Sequence, residues 1–258
     1  MKEELTIVKV GGKIVEDKLA LHDLINKFTS LRGPKILVHG GGRSATRMAE
    51  RLGIESQMVN GRRVTDKEML DIVTMVYGGL VNKNIVALLQ ASQVNAIGLT
   101  GVDGNAILSH RREVKSVDYG YVGDVDQVNA LLLSQLIYSE LIPVMAPLTH
   151  NGKGDLLNTN ADTIAASCAI GLSEFFDVRL IFCFEKRGVL LDTENENSVI
   201  ANMNQVLYEK YKTEGIIDGG MIPKLDNSFD ALKKGVKEVI ITSAELLGSN
   251  KGTHISLE

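Results

Sequence analysis

The spacing of apolar residues changes several times along the chain and divides its first part into short strands and amphipathic helices. The β-branched run at 5–10 stops at two glycines, which is typical of a buried strand followed by a turn. Residues 19–33 carry apolar side chains at the three- and four-residue spacing of a helix. A second strand at 35–40 and a second helix at 44–52 follow. This alternation with short connections predicts a parallel sheet with right-handed crossovers.

The remainder of the chain continues the same alternation. A long helix is predicted from Thr65 or Asp66, either of which could be its N-cap. Short glycine-rich pieces at 95–125 indicate hairpins at the rim of the sheet. Later helices and buried strands lead to a closing strand at 237–242. The predicted fold class is therefore α/β with a mainly parallel sheet.

Composition narrows the functional classes. The 258 residues are 44% hydrophobic and 23% charged, as in ordinary globular proteins. A net charge of −4 without any basic run gives no reason to expect a nucleic-acid partner. The acidic amino terminus and the absence of about 18 uninterrupted apolar residues predict no signal peptide, no membrane partner and a cytoplasmic protein. Cys168 and Cys183 lie in apolar stretches and are interpreted as buried thiols.

Glycines follow two of the predicted strands, in "KVGGK" at 9–13 and "VHGGG" at 38–42. Gly11 and Gly12 alone would be read as a turn, because turns often need glycine. Three further glycines after a buried strand favour an anion site, since main-chain N–H groups that enter a helix are unpaired and the helix dipole adds positive charge. No P-loop, dinucleotide-binding or protein-kinase motif is found, so those classes of nucleotide enzyme are disfavoured.

Charged residues stand beside these glycines. Lys9 ends the first strand, where a lysine would be unusual on a buried element. Asp162 falls within one turn of a predicted helix start, as do Asn158 and Asn160. Lys224 follows two glycines in the first turns of another helix. Each has an ordinary interpretation as a cap, a helix-dipole partner or a solvated charge. Together they supply two cations and a carboxylate that could orient them.

Taken in order, "KVGGK", "VHGGG", "NGRRVT" at 60–65, "NTNAD" at 158–162 and "GGMIPK" at 219–224 resemble the amino acid kinase family over essentially the whole chain. Within that family the match is to members that phosphorylate an N-acylated glutamate. The resemblance implies a three-layer αβα sandwich in one domain, 1–258. It also implies a lobe at 1–175 for acceptor binding and dimerisation, and a lobe at 176–258 for ATP.

The resemblance further implies that the γ-phosphoryl of ATP passes to the side-chain carboxylate of N-acetyl-L-glutamate or a related acyl glutamate, in arginine biosynthesis. Lys9 and Lys224 would stabilise the phosphoryl group and Asp162 would hold both lysines. Backbone N–H groups of Gly11, Gly12 and Gly41 would donate hydrogen bonds to the phosphoryl group. The implied acceptor-binding residues are Gly41, Gly42, Arg63 and Asn158. The implied ATP-binding residues are Gly11, Glu185, Gly188, Ile217, Asp218 and Gly220. Mg²⁺ is expected to accompany ATP, bound mostly by phosphates and water rather than by protein ligands.

Two departures from the family pattern stand out. Glu185 in "CFEKRG" occupies a place where relatives have aspartate, and Lys186 and Arg187 are unusual there. Arg62 precedes Arg63 where relatives commonly carry an apolar residue. An exposed arginine is the simpler interpretation of Arg62. The alternative is that it meets a second carboxylate on the acyl group, which would make N-succinyl-L-glutamate the substrate.

Other functions stay open at this point. A kinase of the same fold could act on aspartate, glutamate, carbamate or a nucleoside monophosphate. "NGRRVT" before the long helix favours the acylated-glutamate members. A non-catalytic nucleotide-binding sensor is the alternative from a different class, although both lysines, Asp162 and the glycines are present. The first strand begins about five residues into the chain. Since the arginine-sensitive members carry an extra amino-terminal helix, we expect a homodimer that is insensitive to arginine.

Overall fold

A computed structural model describes residues 2–59 and 62–258. Asn60 and Gly61 of the motif at 60–65 lie outside the described residues. The strands are β1 (Glu4–Val10), β2 (Lys35–His39), β3 (Met58–Val59), β4 (Arg62–Arg63), β5 (Ala96–Leu99), β6 (Ile107–Arg111), β7 (Gly123–Val128), β8 (Ile142–Met145), β9 (Leu148–His150), β10 (Leu156–Asn158), β11 (Asp177–Phe184), β12 (Asn202–Met203), β13 (Glu238–Ser243) and β14 (Thr253–Ile255).

The helices are α1 (Gly12–Glu16), α2 (Lys18–Ser30), α3 (Gly42–Arg51), α4 (Lys67–Val73), α5 (Asn82–Ala91), α6 (Ala130–Tyr138), α7 (Ala161–Leu172), α8 (Gln205–Thr213) and α9 (Met221–Lys233). A π-helical segment, Thr74–Val81, joins α4 to α5. Asp66 caps this long helix by accepting a hydrogen bond from the backbone N–H of Met69. The prediction of a long helix that begins at this position is therefore confirmed.

Eight strands form the central sheet, in the order β12-β14-β13-β11-β1-β2-β8-β5. Every neighbouring pair is parallel except β13 and β14. The prediction of an α/β fold with a mainly parallel sheet is confirmed. Because β1 pairs with β11 along seven residues, the sheet is continuous between the two predicted lobes.

Three details differ from the sequence prediction. Strand β5 is an edge strand of the central sheet, parallel to β8, and not part of a rim hairpin. The hairpin β6–β7 belongs to a second sheet with the order β10-β9-β6-β7. The strand predicted to close the fold, β13, is followed by the antiparallel β14. A run of three or four apolar residues has the same sequence pattern in an edge strand, in a hairpin and in an added antiparallel strand. The strand with which it pairs is set by tertiary packing and not by the local pattern.

Alternation along β1 explains the three layers. Leu5 and Ile7 are buried in a cluster with residues of α6, α7 and α9. Val8 and Val10 are buried in a second cluster with residues of α1 to α5. Since successive strand residues point to opposite faces, Lys9 lies on the face of Leu5 and Ile7, toward α7. The sheet thus carries helices on both faces and places one lysine among the helices of one face.

The helix Lys67–Ala91 is long and apolar enough to cross a membrane by length and composition alone. Its most apolar window has a mean hydropathy of 1.5, and 44% of that window is buried in the fold. The buried side includes Ile72, Val76 and Ile85, which belong to the core between the helix and the sheet. This packing is that of a core helix.

Candidate active site

The two predicted lysines meet at one carboxylate. Lys9 Nζ lies 2.7 Å from Asp162 Oδ1, and Lys224 Nζ lies 3.0 Å from each Asp162 oxygen. All three residues are buried: Lys9 is 9% exposed, Lys224 is 7% exposed and Asp162 is 9% exposed. They come from the end of β1, the first turn of α7 and the first turn of α9. Residues 9, 162 and 224 are thus brought together by three elements that are far apart in the chain.

Local sequence fixes each partner. Asn160 caps α7 by accepting hydrogen bonds from the N–H groups of Asp162 and Thr163, which sets the first turn that carries the carboxylate. Gly219, with φ +49°, precedes Gly220, the N-cap of α9. The Lys224 ammonium also lies 5.0 Å from the centroid of the Phe182 ring on β11. The lysine is therefore held between a carboxylate and an aromatic face.

Electrostatics favour the charged forms of this cluster. Burial alone would raise the pKa of Asp162, but the ammonium groups of Lys9 and Lys224 outweigh it and hold that pKa well below its ordinary range. Burial lowers the pKa of Lys224, while the Asp162 carboxylate opposes that shift. Two ammonium groups against one carboxylate leave an excess positive charge in a nearly dry site. Such a site is suited to hold an anion.

The two glycine turns face each other beside this cluster. A Cβ on Gly12 would lie 3.8 Å from the amide nitrogen of Gly41 and 3.9 Å from that of Gly42. A Cβ on Gly40 would lie 3.3 Å from the amide nitrogen of Gly12. Within residues 2–59 and 62–258, no acceptor is bonded to the amides of Gly12, Gly41 and Gly42. These amides can therefore serve as donors to a bound anion.

Gly11 has a different position. Its N–H donates to the carbonyl oxygen of Cys183 at 2.9 Å, which extends the pairing of β1 with β11. Of the three amides predicted to donate to the phosphoryl group, that of Gly11 is therefore already paired with a carbonyl oxygen of the protein. Gly11 is the N-cap of α1, and Gly12 is the residue of this turn whose amide is open.

The acceptor-side residues line one cavity next to these turns. Arg63 Nη2 donates to the carbonyl oxygen of Gly42 at 2.7 Å and to Thr46 Oγ1 at 2.8 Å, and its Nη1 donates to Ser56. Asn158 Nδ2 donates to Thr65 Oγ1 at 3.0 Å. The predicted acceptor residues Gly41, Gly42, Arg63 and Asn158 all line this cavity.

The residues predicted to contact ATP differ from one another in burial and in position. Glu185 is exposed and forms an ion pair with Lys13, and Asp218 and Gly220 lie directly before α9. Ile217 is buried. Gly188 is packed so closely that a Cβ would lie 2.7 Å from Thr253 Oγ1 and 2.8 Å from Val199. Close packing against β14 is therefore the visible reason for glycine at 188.

Two polar side chains that line the cavity, those of Tyr77 and Arg112, are not predicted from the sequence. Tyr77, in the π-helical segment, packs directly against Gly41. A Cβ on Gly41 would lie only 2.9 Å from the Tyr77 ring. Arg112 also lines the cavity and binds Asp124 through Nε and Nη2. Arg112 stood in a stretch that matched no kinase motif, and no local signal connects it with Arg63.

A buried histidine supports the glycine turn. His39, at the end of β2, bonds through Nδ1 to the carbonyl oxygen of Gly40 at 2.8 Å and through Nε2 to Asn82 Nδ2 at 3.1 Å. Since a carbonyl can only accept, these partners assign a neutral ring with the proton on Nδ1. Burial lowers the pKa of His39 to about 4.

This histidine predicts a pH dependence of stability. The unfolded ring titrates near 6.5 and the folded one near 4, so the unfolded state takes up the proton first. The free energy of unfolding should therefore fall by about 3 kcal/mol as the pH drops from about 6.5 to about 4. Urea unfolding at pH 7.5, 5.5 and 4.5 measures it. His39→Asn should lose this part of the pH dependence, and equal slopes in the two proteins would contradict the assignment.

The described residues contain no group of three or more His, Cys, Asp and Glu side chains that could hold a metal ion. The one buried carboxylate of the site, Asp162, is already paired with two lysines. Cys168 and Cys183 are buried free thiols, as predicted, and burial raises the pKa of each to about 12. A cation at this site would therefore have to arrive with phosphate oxygens and water as its main ligands.

A buried pair of cations, open main-chain amides and the carboxyl edge of a parallel sheet define a site for phosphoryl chemistry. Residues 4–243 match the amino acid kinase family, and the chain belongs to that family. It is 60% identical over 255 residues to the acetylglutamate kinase of Bacteroides fragilis, covering 99% of this chain and 98% of the relative.

Solved structures agree on the fold. The crystal structure of smu.665 from Streptococcus mutans UA159 superposes with a TM-score of 0.83 at 27% identity, covering 98% of this chain and 99% of that one. The carbamate kinase from Giardia lamblia bound to AMP-PNP superposes with a TM-score of 0.69 at 12% identity, covering 99% of each chain. The fold is thus that of amino acid kinases and carbamate kinase.

Proposed function

We propose that this protein transfers the γ-phosphoryl group of ATP to the side-chain carboxylate of an N-acylated L-glutamate, as a step of arginine biosynthesis. N-Acetyl-L-glutamate is the acceptor that the name of the 60% identical relative indicates. The observation that carries the proposal is the buried Lys9–Asp162–Lys224 cluster at the end of β1, the strand that leads directly into the first glycine turn.

The chemistry requires positive charge and fixed donors more than a base. The acceptor carboxylate is ionised at neutral pH and can attack phosphorus without losing a proton. Negative charge on the equatorial oxygens would meet the ammonium groups of Lys9 and Lys224 and the amides of Gly12 and Gly41. Asp162 holds the two ammonium groups in place without neutralising both.

The remaining roles follow the positions of the residues. Arg63 and Asn158 would bind the α-carboxylate end of the acceptor, with Gly41 and Gly42 at its other end. Residues 176–258 would form the ATP lobe, in which Glu185, Ile217, Asp218 and Gly220 lie toward the nucleotide. Gly188 supports that lobe by packing. Mg²⁺ would enter with ATP and neutralise part of the phosphate charge when bound.

The long helix Lys67–Ala91 bears on the proposed assembly. Met75 and Leu80 on it are 56% and 50% exposed, whereas its opposite side is in the core. An exposed apolar strip on a core helix favours contact with a second protein surface. We infer a homodimer formed by residues of the 1–175 lobe, in the cytoplasm, with ATP and the acyl glutamate as small-molecule substrates and no nucleic-acid or membrane partner.

Hydroxylamine trapping tests the reaction directly. An acyl phosphate reacts with hydroxylamine to give a hydroxamate, so N-acetyl-L-glutamate, ATP and Mg²⁺ should yield ADP and the acyl hydroxamate in equal amounts. N-Acetyl-L-aspartate, one methylene shorter, is the control and should react far more slowly. Turnover of carbamate or aspartate instead would move the protein to another activity of this fold. ATP binding without turnover of any of these acceptors would favour a sensor.

A further inference from the structure

The acceptor cavity carries an imbalance of charge. Among the described residues, three arginines line it, Arg62, Arg63 and Arg112, and no Asp or Glu side chain does. An N-acetylglutamate that is bound there has two carboxylates. Under the proposed function one of them reaches the glycine turns and the lysines, and the other takes Arg63. Two guanidinium groups then have no substrate carboxylate.

Neither of these two arginines is fully satisfied by the protein. Arg62 is exposed and forms no ion pair within 4 Å with any described residue. Arg112 uses Nε and Nη2 to bind Asp124, whereas its buried Nη1 has no hydrogen-bond partner in the described part of the chain. Of the carboxylates in residues 2–59 and 62–258, only that of Asp124 is bonded to this pair, so Arg62 and Arg112 together keep an excess positive charge. A buried donor without a partner is costly unless a ligand completes it.

Main-chain hydrogen bonds hold the segments that carry Arg62 and Arg112 next to each other. The N–H of Thr65, just after Arg62 and Arg63, donates to the carbonyl oxygen of Tyr119 at 2.9 Å. The N–H of Tyr121 donates back to the Thr65 carbonyl at 2.6 Å. The Arg112 N–H donates to the Val122 carbonyl at 2.8 Å in the same hairpin. Ladder hydrogen bonds thus fix the segment of Arg62 beside the segment of Arg112.

There is also space beyond the arginines. A second cavity shares Arg62 and Arg112 with the acceptor cavity and is otherwise lined by residues of β6, β7 and their connection. His110 and Lys115 add basic groups to its wall, against Glu113 and Asp124. Because the two cavities share Arg62 and Arg112, they are adjacent, and an acyl chain longer than acetyl would point from the acceptor cavity toward this basic space.

We propose that Arg62 and Arg112 form a carboxylate subsite for the acyl end of the substrate, so that the preferred acceptor is an L-glutamate N-acylated by a dicarboxylic acid of succinyl length. The inference rests on the proposed function and specifies its acyl group. A charge-assisted hydrogen bond to a guanidinium is stronger than a neutral one. The subsite therefore selects a charged acyl end over a neutral end of equal length.

The test compares three acceptors: N-acetyl-, N-butanoyl- and N-succinyl-L-glutamate. Butanoyl has the chain length of succinyl without its carboxylate, so it separates charge from size. Wild type should show a kcat/KM for succinyl at least about tenfold above those of the other two, the discrimination expected of one charge-assisted hydrogen bond. Arg62→Gln and Arg112→Gln should each remove most of that preference by raising KM for succinyl, with kcat little changed.

Two further variants control the result. Arg51→Gln makes the same change at an arginine in the last turn of α3 that lines neither cavity, and it should keep the preference. Thermal unfolding of Arg112→Gln shows whether loss of its bond to Asp124 has unfolded the protein, in which case Arg62→Gln alone decides. A wild type that prefers acetyl, or variants that lower all three acceptors equally, would overturn the subsite. No turnover of any acyl glutamate would instead overturn the proposed function.

Discussion

Replacement of Asp162 by asparagine is expected to reduce both stability and activity more than a change at any single surface charge. The variant keeps the size and the capped helix turn but leaves the ammonium groups of Lys9 and Lys224 buried together without a carboxylate. Breaking a buried ion pair by removal of one partner costs about 3–5 kcal/mol, because the remaining charge is uncompensated. We expect a loss of stability of at least about 3 kcal/mol.

The kinetic consequence of the same change is separate. Without the carboxylate the two ammonium groups repel each other and leave the positions in which Asp162 holds them. Misplacement of transition-state donors by about 1 Å can cost about 10²-fold in rate, so kcat should fall at least that much. Urea unfolding and acyl hydroxamate formation measure the two effects. Asp230→Asn is the control, since Asp230 forms an exposed pair with Lys234 and should change neither much.

The pH dependence of wild type gives a second view of this carboxylate. Its folded pKa lies below the ordinary aspartate range, so its stabilisation is present above about pH 4 and is lost as the pH falls further. The His39 contribution is lost at higher pH, between about 6.5 and 4. Wild type should therefore lose stability in two steps on acidification, and Asp162→Asn should lack the lower one. A variant that retains both steps would contradict the charge assignment.

Much of this site could be predicted because each of its parts has a recognisable pattern in the local sequence. Period-two alternation places Lys9 on one face of β1, and capping chemistry places Asp162 in the first turn of α7. Consecutive glycines mark Gly40 to Gly42 as a close approach of the backbone. What brings the pieces together is the strand order β11-β1-β2. The alternation of strands and helices predicts that these strands are parallel but does not predict which of them are neighbours.

The features that were missed depend on contacts between distant segments. The amide of Gly11 is paired with Cys183, and Gly188 packs on Thr253, because neighbouring strands reach those glycines. Arg112 joins Arg62 through a hairpin whose pairing no local pattern specifies. A sequence identifies a glycine or an arginine, whereas its neighbours are decided by register and by the packing of the second sheet.

Lys9→Met is expected to separate catalysis from stability. The substitution removes one ammonium group and leaves Asp162 and Lys224 as a one-to-one pair, so no buried charge is left uncompensated. Methionine also keeps much of the apolar stem that lies beside Ile7. The free energy of unfolding should change by less than about 1 kcal/mol. Loss of a preorganised charge at the phosphoryl group should lower kcat by about 10²- to 10³-fold.

The double variant Lys9→Met with Asp162→Asn tests the charge count itself. The double variant has one buried ammonium group and no carboxylate in this cluster. Asp162→Asn has two buried ammonium groups and no carboxylate, and wild type has two ammonium groups and one carboxylate. Because repulsion between the lysines is gone, the double variant should be more stable than Asp162→Asn although it has lost one more native side chain. Its activity should be no higher than that of Lys9→Met. Additive losses of stability in the double variant would mean that Lys9 and Asp162 act independently, which their 2.7 Å contact argues against.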